Sequence, residues 1–304
     1  MTPDAPLPQL LADARTAALH AWAGIAHYYR GDFAVFDKPD GPATDADRKA
    51  DLLIVEFLTQ RYPRDVYGYL TEEFENDPSR LERRRVWIID PIDGTSEFMK
   101  GQHDFAVHIG LAERTGDVSV PIVAVVYVPT AGMMFTATAG GGAFVEVERR
   151  APGADPWWAA SDPDPATADF DAPRRLAVST SPGSPNLTAV ISKSHSTRRL
   201  RATLEAMPLG RTYRRGSVGV KMAEVASANA DFYLNTENGK CKEWDVCAPH
   251  LILEEAGGRV TDLRGRPITY NRSDVRTGRG ILASNSTAHD YLLEELTKIP
   301  VLFE

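Results

Sequence analysis

Cysteine is scarce in this chain: Cys241 and Cys247 are the only two among 304 residues. Two cysteines make no disulfide framework, and their spacing, with no accompanying His pair, does not suit a zinc knuckle. Both are expected as free, packed thiols near a helix start, in a reducing cytoplasm. Residues 1–8 lack a basic region followed by an apolar core, so no secretory signal is expected. No apolar run reaches the roughly 20 residues that a membrane helix needs, which sets aside an integral membrane segment. Positive charge is also in deficit, with 34 Lys plus Arg against 42 Asp plus Glu and a net charge of −8. A general nucleic-acid binder would carry a basic face, so no nucleic-acid partner is expected. A polyanionic substrate would have to be met by local positive charge or by metal. No internal repeat is present.

What remains is ordinary for a soluble globular protein, at 43% apolar and 25% charged residues. The length allows two domains or one large one. Leu10, Leu11, Ala14, Ala17, Ala18, Ala21, Trp22, Ile25 and Tyr28 recur at helical spacing and predict an amphipathic first helix. Residues 31–43 read as a loop. A second helix carries Ala50, Leu53, Ile54, Phe57 and Leu58 on one face, with Pro63 closing it. Strands are expected over 67–71, 86–89, 121–128, 133–138 and 143–147, at short spacings that suggest a mostly antiparallel sheet. Another strand, over 104–111, alternates as a half-buried strand does.

Residues 151–185, rich in Pro, Asp, Ala and Ser, read as a connecting loop, with Trp157 and Trp158 docking it onto the surface. Strands at 188–191, 231–234, 259–263 and 280–283 then alternate with helices at 197–206, 217–228, 244–256 and 287–298. That order reads as an α/β sheet with outer helices. Gly257 and Gly258 suit a helix C-cap. The expected organisation is an N-terminal α+β domain over 1–150, an insert over 151–185 and a C-terminal α/β domain over 186–304.

The stretch from Val86 to Thr95 carries the chemistry. Four apolar residues run into Asp90, Pro91, Ile92, Asp93, Gly94 and Thr95. The apolar run reads as a strand buried on both faces, delivering two carboxylates at its end. Gly94 permits a tight turn close to a ligand. Thr95 and Ser96 can cap a short helix over 97–100, so that their N–H groups face the same spot. Carboxylates for a hard cation beside amides for an anion suggest a metal-assisted phosphate site. Alone, the stretch is equally a strand followed by an Asp-Pro/Asp-Gly turn. Other acids are as ambiguous when taken singly. Asp47 suits the first turn of the second helix, Glu72 and Glu73 a solvated strand end, and Asp245 a helix cap.

As an ordered set, Asp47, Glu72-Glu73, Asp90-Pro91-Ile92-Asp93-Gly94-Thr95 and Trp244-Asp245-x-x-Ala248 resemble the lithium-sensitive, magnesium-dependent phosphatase superfamily. That superfamily includes inositol monophosphatase, fructose-1,6-bisphosphatase and the 3'(2'),5'-bisphosphate nucleotidases. The resemblance runs from the first helix to about Asn285. Glu97-Phe98, Ser192-Lys193-Ser194-His195, Gly216-Ser217 with Lys221, and the segment from Cys241 to Pro249 look like the CysQ-like nucleotidase branch. The insert over 151–185 and Ala43, where relatives often have Val, depart from the pattern.

The resemblance implies a layered αβαβα sandwich of α+β and α/β parts, and two to three Mg²⁺ ions per site. Glu72, Asp90 and the Ile92 carbonyl would hold one ion. Asp90, Asp93 and Asp245 would hold a second, and Glu72 with waters a third. Asp47 and Thr95 would take a proton from the attacking water. Gly94, Thr95 and Ser96 would cradle phosphate oxygens, with Asp245 near the leaving oxygen. Ser192, His195, Ser217 and Lys221 would hold the rest of a nucleotide, although His195 also reads as a structural histidine and Lys221 as a solvated helix charge. The implied activity is release of the 3'-phosphate of adenosine 3',5'-bisphosphate, or of its sulfated relative, by a cytoplasmic monomer or homodimer. Inositol monophosphatase activity and a non-catalytic, metal-linked nucleotide sensor of sulfur metabolism are the alternatives.

Overall fold

The computed structural model describes residues 5–302 apart from 39, 40, 75, 152, 184, 185, 195, 196, 300 and 301. Small residues set the first packing step. Helix α1 (Leu7–Ile25) buries Leu10, Ala14, Ala17, Ala18, Ala21, Trp22 and Ile25, a stripe at helical spacing that lets a second helix and a sheet approach closely. Residues 31–43, expected as a loop, instead hold an antiparallel hairpin of β1 (Val35–Lys38) and β2 (Gly41–Thr44). Its strands are half-exposed and carry no clean alternation, so the sequence gives no strand signal there. Helix α2 (Asp45–Thr59) follows directly.

A seven-stranded sheet comes next, its strands in chain order: β3 (Tyr67–Thr71), β4 (Arg85–Asp93), β5 (Ala106–Thr115), β6 (Val118–Val128), β7 (Met133–Thr138), β8 (Gly142–Val147) and β9 (Arg174–Arg175). Only β3 and β4 pair in parallel; the other neighbours are antiparallel. The short helix α3 (Thr95–Met99) joins β4 to β5. A second sheet has the order β11-β10-β12-β14-β13. Its strands are β10 (Thr188–Ser192), β11 (Arg211–Arg215), β12 (Phe232–Asn238), β13 (Gly258–Thr261) and β14 (Arg279–Asn285). Helices α4 (Arg198–Ala206), α5 (Val218–Ala226) and α6 (Glu243–Glu255) connect the strands from β10 to β13, and α7 (Ser286–Thr297) follows β14.

Strand β4 shows why this becomes five layers. Side chains alternate across a strand. Trp87 and Ile89 pack with α1 and α2 in a cluster that holds Trp22 and Ile54. Val86 and Ile88 face the other way, into a cluster with Met222 of α5, Leu251 of α6, and Val190 and Ile281 of the second sheet. The far face of that second sheet packs Ala189, Leu234 and Leu282 against Leu200 of α4 and Leu292 of α7. The result is the expected αβαβα sandwich. Strand β5 is not half-buried: Ala106, His108 and Gly110 lie buried on its second face, beneath the inner helices. A Cβ on Gly110 would lie 2.8 Å from Cys247 Sγ, so glycine there admits α6 and the thiol packs against the strand.

Strand β11 was not anticipated, because Arg211, Arg214 and Arg215 give it an edge strand's polarity. In 151–185, Arg174 and Arg175 add the seventh strand, and two 3-10 turns break the rest. Trp158 packs edge-on against Trp22 at 5.3 Å and Tyr29 at 6.1 Å, and its Nε1 donates to the Pro129 carbonyl at 3.2 Å. The segment is therefore docked, as expected. Replacing Trp158 with Ala should cost about 1–3 kcal/mol of stability. A thermal melt would then fall by several degrees; an unchanged midpoint would show that this anchor contributes nothing.

Candidate active site

Two residues three apart on a regular strand point to opposite faces. Asp90 and Asp93 nevertheless share one. Asp90 lies opposite His108 and Asp93 opposite Ala106, so β4 has one extra residue between them, a β-bulge. Pro91 sits inside it, where a missing N–H does least harm. Asp90, 1% exposed, accepts the Ile92 N–H on Oδ1 at 3.1 Å. Gly94 then turns the chain at φ 99°, and a Cβ there would lie 3.2 Å from Phe105 Cβ. That turn starts α3 two residues before the expected 97–100 helix, with Gly94 rather than Thr95 or Ser96 at the cap, and its first amides have no partner within the helix.

Glu72 arrives by strand register. In the parallel β3–β4 pair, Thr71 is level with Ile89, so Glu72 is level with Asp90. Its N–H donates to the Ile89 carbonyl at 3.2 Å. The expectation of a solvated Glu72-Glu73 strand end does not describe what forms: Lys38, from the β1–β2 hairpin, reaches both acids, 3.6 Å from Glu72 Oε1 and closer to Glu73.

Two further acids come from helix starts, and each has a double role. Asp47 is the third residue of α2. Its Oδ2 accepts the Thr44 N–H at 2.7 Å and the Thr44 hydroxyl at 2.5 Å, closing a capping box. Its Oδ1 accepts the Thr95 hydroxyl at 3.0 Å. Asp245 is the third residue of α6, and its Oδ2 accepts the Lys242 N–H at 2.7 Å. Capping and site membership are therefore simultaneous for both.

Ligand atoms from Asp90, Asp93 and Asp245 lie within 4.8 Å of one another. Glu72 and Asp90 lie close enough that the titration of each depends on the charge of the other, a repulsion that a proton or a cation relieves. Burial raises the pKa of Asp90 well above the carboxylate range, and the charges of Glu72, Asp93 and Asp245 raise it further. Asp245 is raised in the same way, by burial and then by Asp93 and Glu72. Glu72 is pushed up to about 7 by burial. Behind them Asp51 Oδ1 and Glu73 Oε2 are buried without a hydrogen-bond partner. An all-oxygen donor set this short of positive charge fits a hard divalent cation.

Asp93 is held from the inner helix layer. Its Oδ2 accepts the Ser217 hydroxyl at 2.5 Å and the Gly219 N–H at 3.0 Å, with His108 Nε2 at 3.3 Å. A Cβ on Gly219 would lie 2.1 Å from His108 Nε2, so only glycine fits at that helix start. Ser217, expected on a nucleotide wall, is buried as the N-cap of α5 and acts here through Asp93. His108 and Gly219 were not singled out from the sequence, because an isolated His in an alternating strand gives no signal.

One cleft joins the rest. Glu72, Asp93, Gly94, Thr95, Ser96 and Asp245 line it, and so do Ser192, Lys221, Tyr233 and Lys240 from the second sheet's side. Lys221 is no solvated charge. Its buried ammonium donates to the Gly216 carbonyl and lies 5.2 Å from the Tyr233 ring centroid. Ile92 is buried, with its carbonyl 3.2 Å from the Thr95 hydroxyl. His195 lies outside the described residues. Cys241 and Cys247 are free and buried, and Cys241 lines the cleft. Among the described residues, no helix is long and apolar enough to cross a membrane.

A carboxylate cluster able to hold a cation, at the ends of β3 and β4 and the start of α6 inside an αβαβα sandwich, is the architecture of metal-dependent phosphatases. The chain belongs to the inositol monophosphatase family, whose pattern it matches over residues 8–300. It is 34% identical over 243 residues to a 3'-phosphoadenosine 5'-phosphate phosphatase of Mycobacterium tuberculosis (79% of this chain, 76% of that one). It is 32% identical over 260 residues to the 3'(2'),5'-bisphosphate nucleotidase CysQ of Escherichia coli (83% and 90%). An inositol-1-monophosphatase of Caulobacter vibrioides is 31% identical over 253 residues (83% and 86%). Among solved structures, the extragenic suppressor protein suhB of Bartonella henselae superposes with a TM-score of 0.73 at 26% identity, covering 95% of this chain and 99% of that one. The protein is a phosphoric monoester hydrolase of this superfamily.

Raised carboxyl pKa values carry a pH signature. Such a group favours the folded state fully below its unfolded pKa, and the advantage is lost as the pH rises through its folded value. Asp47 moves from 3.8 to about 6, Glu72 from 4.5 to about 7 and Asp51 from 3.8 to about 8, burial being the largest cause for each. The thermal midpoint of chelator-treated protein should therefore fall between about pH 4 and pH 8, and added Mg²⁺ should restore much of the loss at the upper end. A midpoint that rises over that range would contradict the charge arrangement described here.

Proposed function

We propose that this protein is a Mg²⁺-dependent phosphatase that removes the 3'-phosphate of adenosine 3',5'-bisphosphate, giving AMP and phosphate. The observation that carries the reading is the shared cleft. Its lining continues from the carboxylate corner to Ser192, Lys221, Tyr233 and Lys240, a second wall that a small sugar ester would not need. The M. tuberculosis and E. coli relatives named for this nucleotide chemistry support the same choice. The two free thiols suit a reducing cytoplasm.

Glu72, Asp90, the Ile92 carbonyl, Asp93 and Asp245 would hold two to three Mg²⁺ ions. Bound there, Mg²⁺ neutralises phosphate charge and acidifies an attached water. The Thr95 hydroxyl lies 3.0 Å from Asp47 Oδ1 and 3.2 Å from the Ile92 carbonyl; with its hydrogen on Asp47 it keeps lone pairs that can accept a proton from the cleft. A water attacking phosphorus gives its proton to Thr95 as the Thr95 proton passes to Asp47. Burial brings the Asp47 carboxyl up to about 6, near the range where an acceptor works at neutral pH. The amides of Gly94, Thr95 and Ser96 would hold the phosphate oxygens. As the bond from phosphorus to the 3'-oxygen breaks, that oxygen takes a proton from solvent water beside Asp245, and the proton held by Asp47 returns to solvent. Ser192 and Lys221 would face the remaining nucleotide.

Inositol 1-phosphate hydrolysis is the second reading, because the C. vibrioides relative carries that name at nearly equal identity. A phosphate-release panel over adenosine 3',5'-bisphosphate, inositol 1-phosphate and fructose 1,6-bisphosphate, with and without Mg²⁺, separates the two. The nucleotide should have the highest kcat/KM; a preference for the inositol ester would reverse the assignment. No release from any of the three would favour a non-catalytic sensor. Thr95→Ala should lower kcat about 10²–10⁴-fold with little change in KM. A loss confined to KM would remove Thr95 from the proton path.

A further inference from the structure

The corner just described draws its acids from two parts of the chain that are distant in sequence. Glu72, Asp90 and Asp93 come from the ends of β3 and β4, whereas Asp245 comes from the start of α6. Their mutual repulsion pushes these parts away from each other. A buried polar tie runs between the same two parts. Arg80, in the 3-10 turn between β3 and β4, is 1% exposed. Its Nη1 donates to Asn271 Oδ1 at 2.5 Å and its Nη2 to the Arg272 carbonyl at 2.8 Å, while Asn271 Nδ2 donates back to the Arg80 carbonyl at 3.1 Å.

The other end of the tie is Glu243, fully buried, the first residue of α6 and two before Asp245. Its Oε2 accepts the Asn271 N–H at 2.6 Å and its Oε1 the Arg272 N–H at 3.0 Å. Two local features accommodate this network. Asn271 sits in the left-handed region at φ 53°, where asparagine is among the few tolerated side chains. Gly68 of β3 lies so close that a Cβ would be 2.9 Å from Arg80 Cβ and 3.1 Å from Arg80 Cα. None of the three polar residues lines the cleft.

We infer that Arg80, Asn271 and Glu243 are positioning residues that hold the start of α6, and with it Asp245, against the Glu72–Asp90–Asp93 corner, so that the tie sets the affinity of the site for divalent cation. The inference rests on the reading of that corner as a cation site. A hydrogen-bonded partner behind a ligand ordinarily alters metal affinity about 10–100-fold. Here the partner acts through one turn of helix, so the lower end of that range applies.

Asn271→Gly is the direct test, because glycine keeps the left-handed backbone and removes only the side chain. Mn²⁺ binding to the full chain, read by electron paramagnetic resonance of the free ion, should weaken about tenfold. Ser284→Ala supplies the control. It removes the buried hydrogen bond between Ser284 Oγ and His289 Nδ1 at 2.7 Å, in the second sheet, and should lower the melting point while leaving Mn²⁺ affinity within about twofold. Arg80→Lys, which keeps the charge but not the forked geometry, should show the same loss and covers the case of a poorly folding glycine variant. Wild-type Mn²⁺ affinity in both tie variants would overturn the inference while leaving the cation site intact. Equal losses in the tie variants and the control, matched for melting point, would also overturn it, since the tie would then be merely structural. Absence of Mn²⁺ binding by the unaltered protein would remove the cation reading itself, and this inference with it.

Discussion

Uncompensated negative charge at the end of β4 is the constraint to which the surrounding structure answers. Asp90 has almost no exposure, and Glu72, Asp93 and Asp245 all raise its pKa on top of burial. Removing carboxylates from water costs several kcal/mol each unless something positive replaces the solvent. The chain supplies little that is positive. Lys38 reaches Glu72 and Glu73 from a half-exposed hairpin, and Lys221 is occupied with the Gly216 carbonyl. Folding therefore assembles a carboxylate cluster that is short of positive charge. The rigid layers on either side hold the acids in place against one another.

The five layers divide this task. The seven-stranded sheet brings in Glu72 by parallel register and Asp93 by a bulge. The inner helices contribute Asp245 at one N-terminus and, at another, the Ser217 hydroxyl and Gly219 amide that grip Asp93. The second sheet closes the cleft with Ser192 and Tyr233. Because three apolar clusters fix the layers against one another, the acids need not stabilise the fold in order to be placed by it. This is the sense in which a rigid scaffold preorganises a polar site.

Much of this was legible in the chain. The first helix, the apolar run into Asp90 and the alternation of strand and helix after residue 186 follow from periodicity, and they appear where periodicity places them. The acids were recognisable as an ordered set, although each had an ordinary local explanation. What stayed hidden depends on tertiary partners. Hairpin β1–β2 is built from half-exposed strands without alternation. Strand β11 is read as polar because it lies at an edge. His108, opposite Asp90, became significant only when the bulge in β4 brought Asp93 within 3.3 Å of it, and Arg80 only when Asn271, 191 residues away, closed on it. A side chain whose role is to touch another distant in sequence leaves no local pattern.

The ambiguity of Asp47 and Asp245 has a physical resolution. Each was readable as a helix cap or as part of a site, and each is both, because a carboxylate has two oxygens. One oxygen closes the cap, at 2.7 Å from the Thr44 or Lys242 amide. That bond fixes the side chain's rotation and so aims its second oxygen. For Asp47 the second oxygen meets Thr95; for Asp245 it is free to join the cluster. A glutamate at either position would still satisfy a capping box, and does so in many helices. It would, however, carry its second oxygen a methylene farther and with one more rotatable bond. Helix stability alone would thus accept either acid. The shorter side chain is the one that turns a helix start into an aiming device, so the choice of aspartate at 47 and 245 answers to the cleft rather than to the helix.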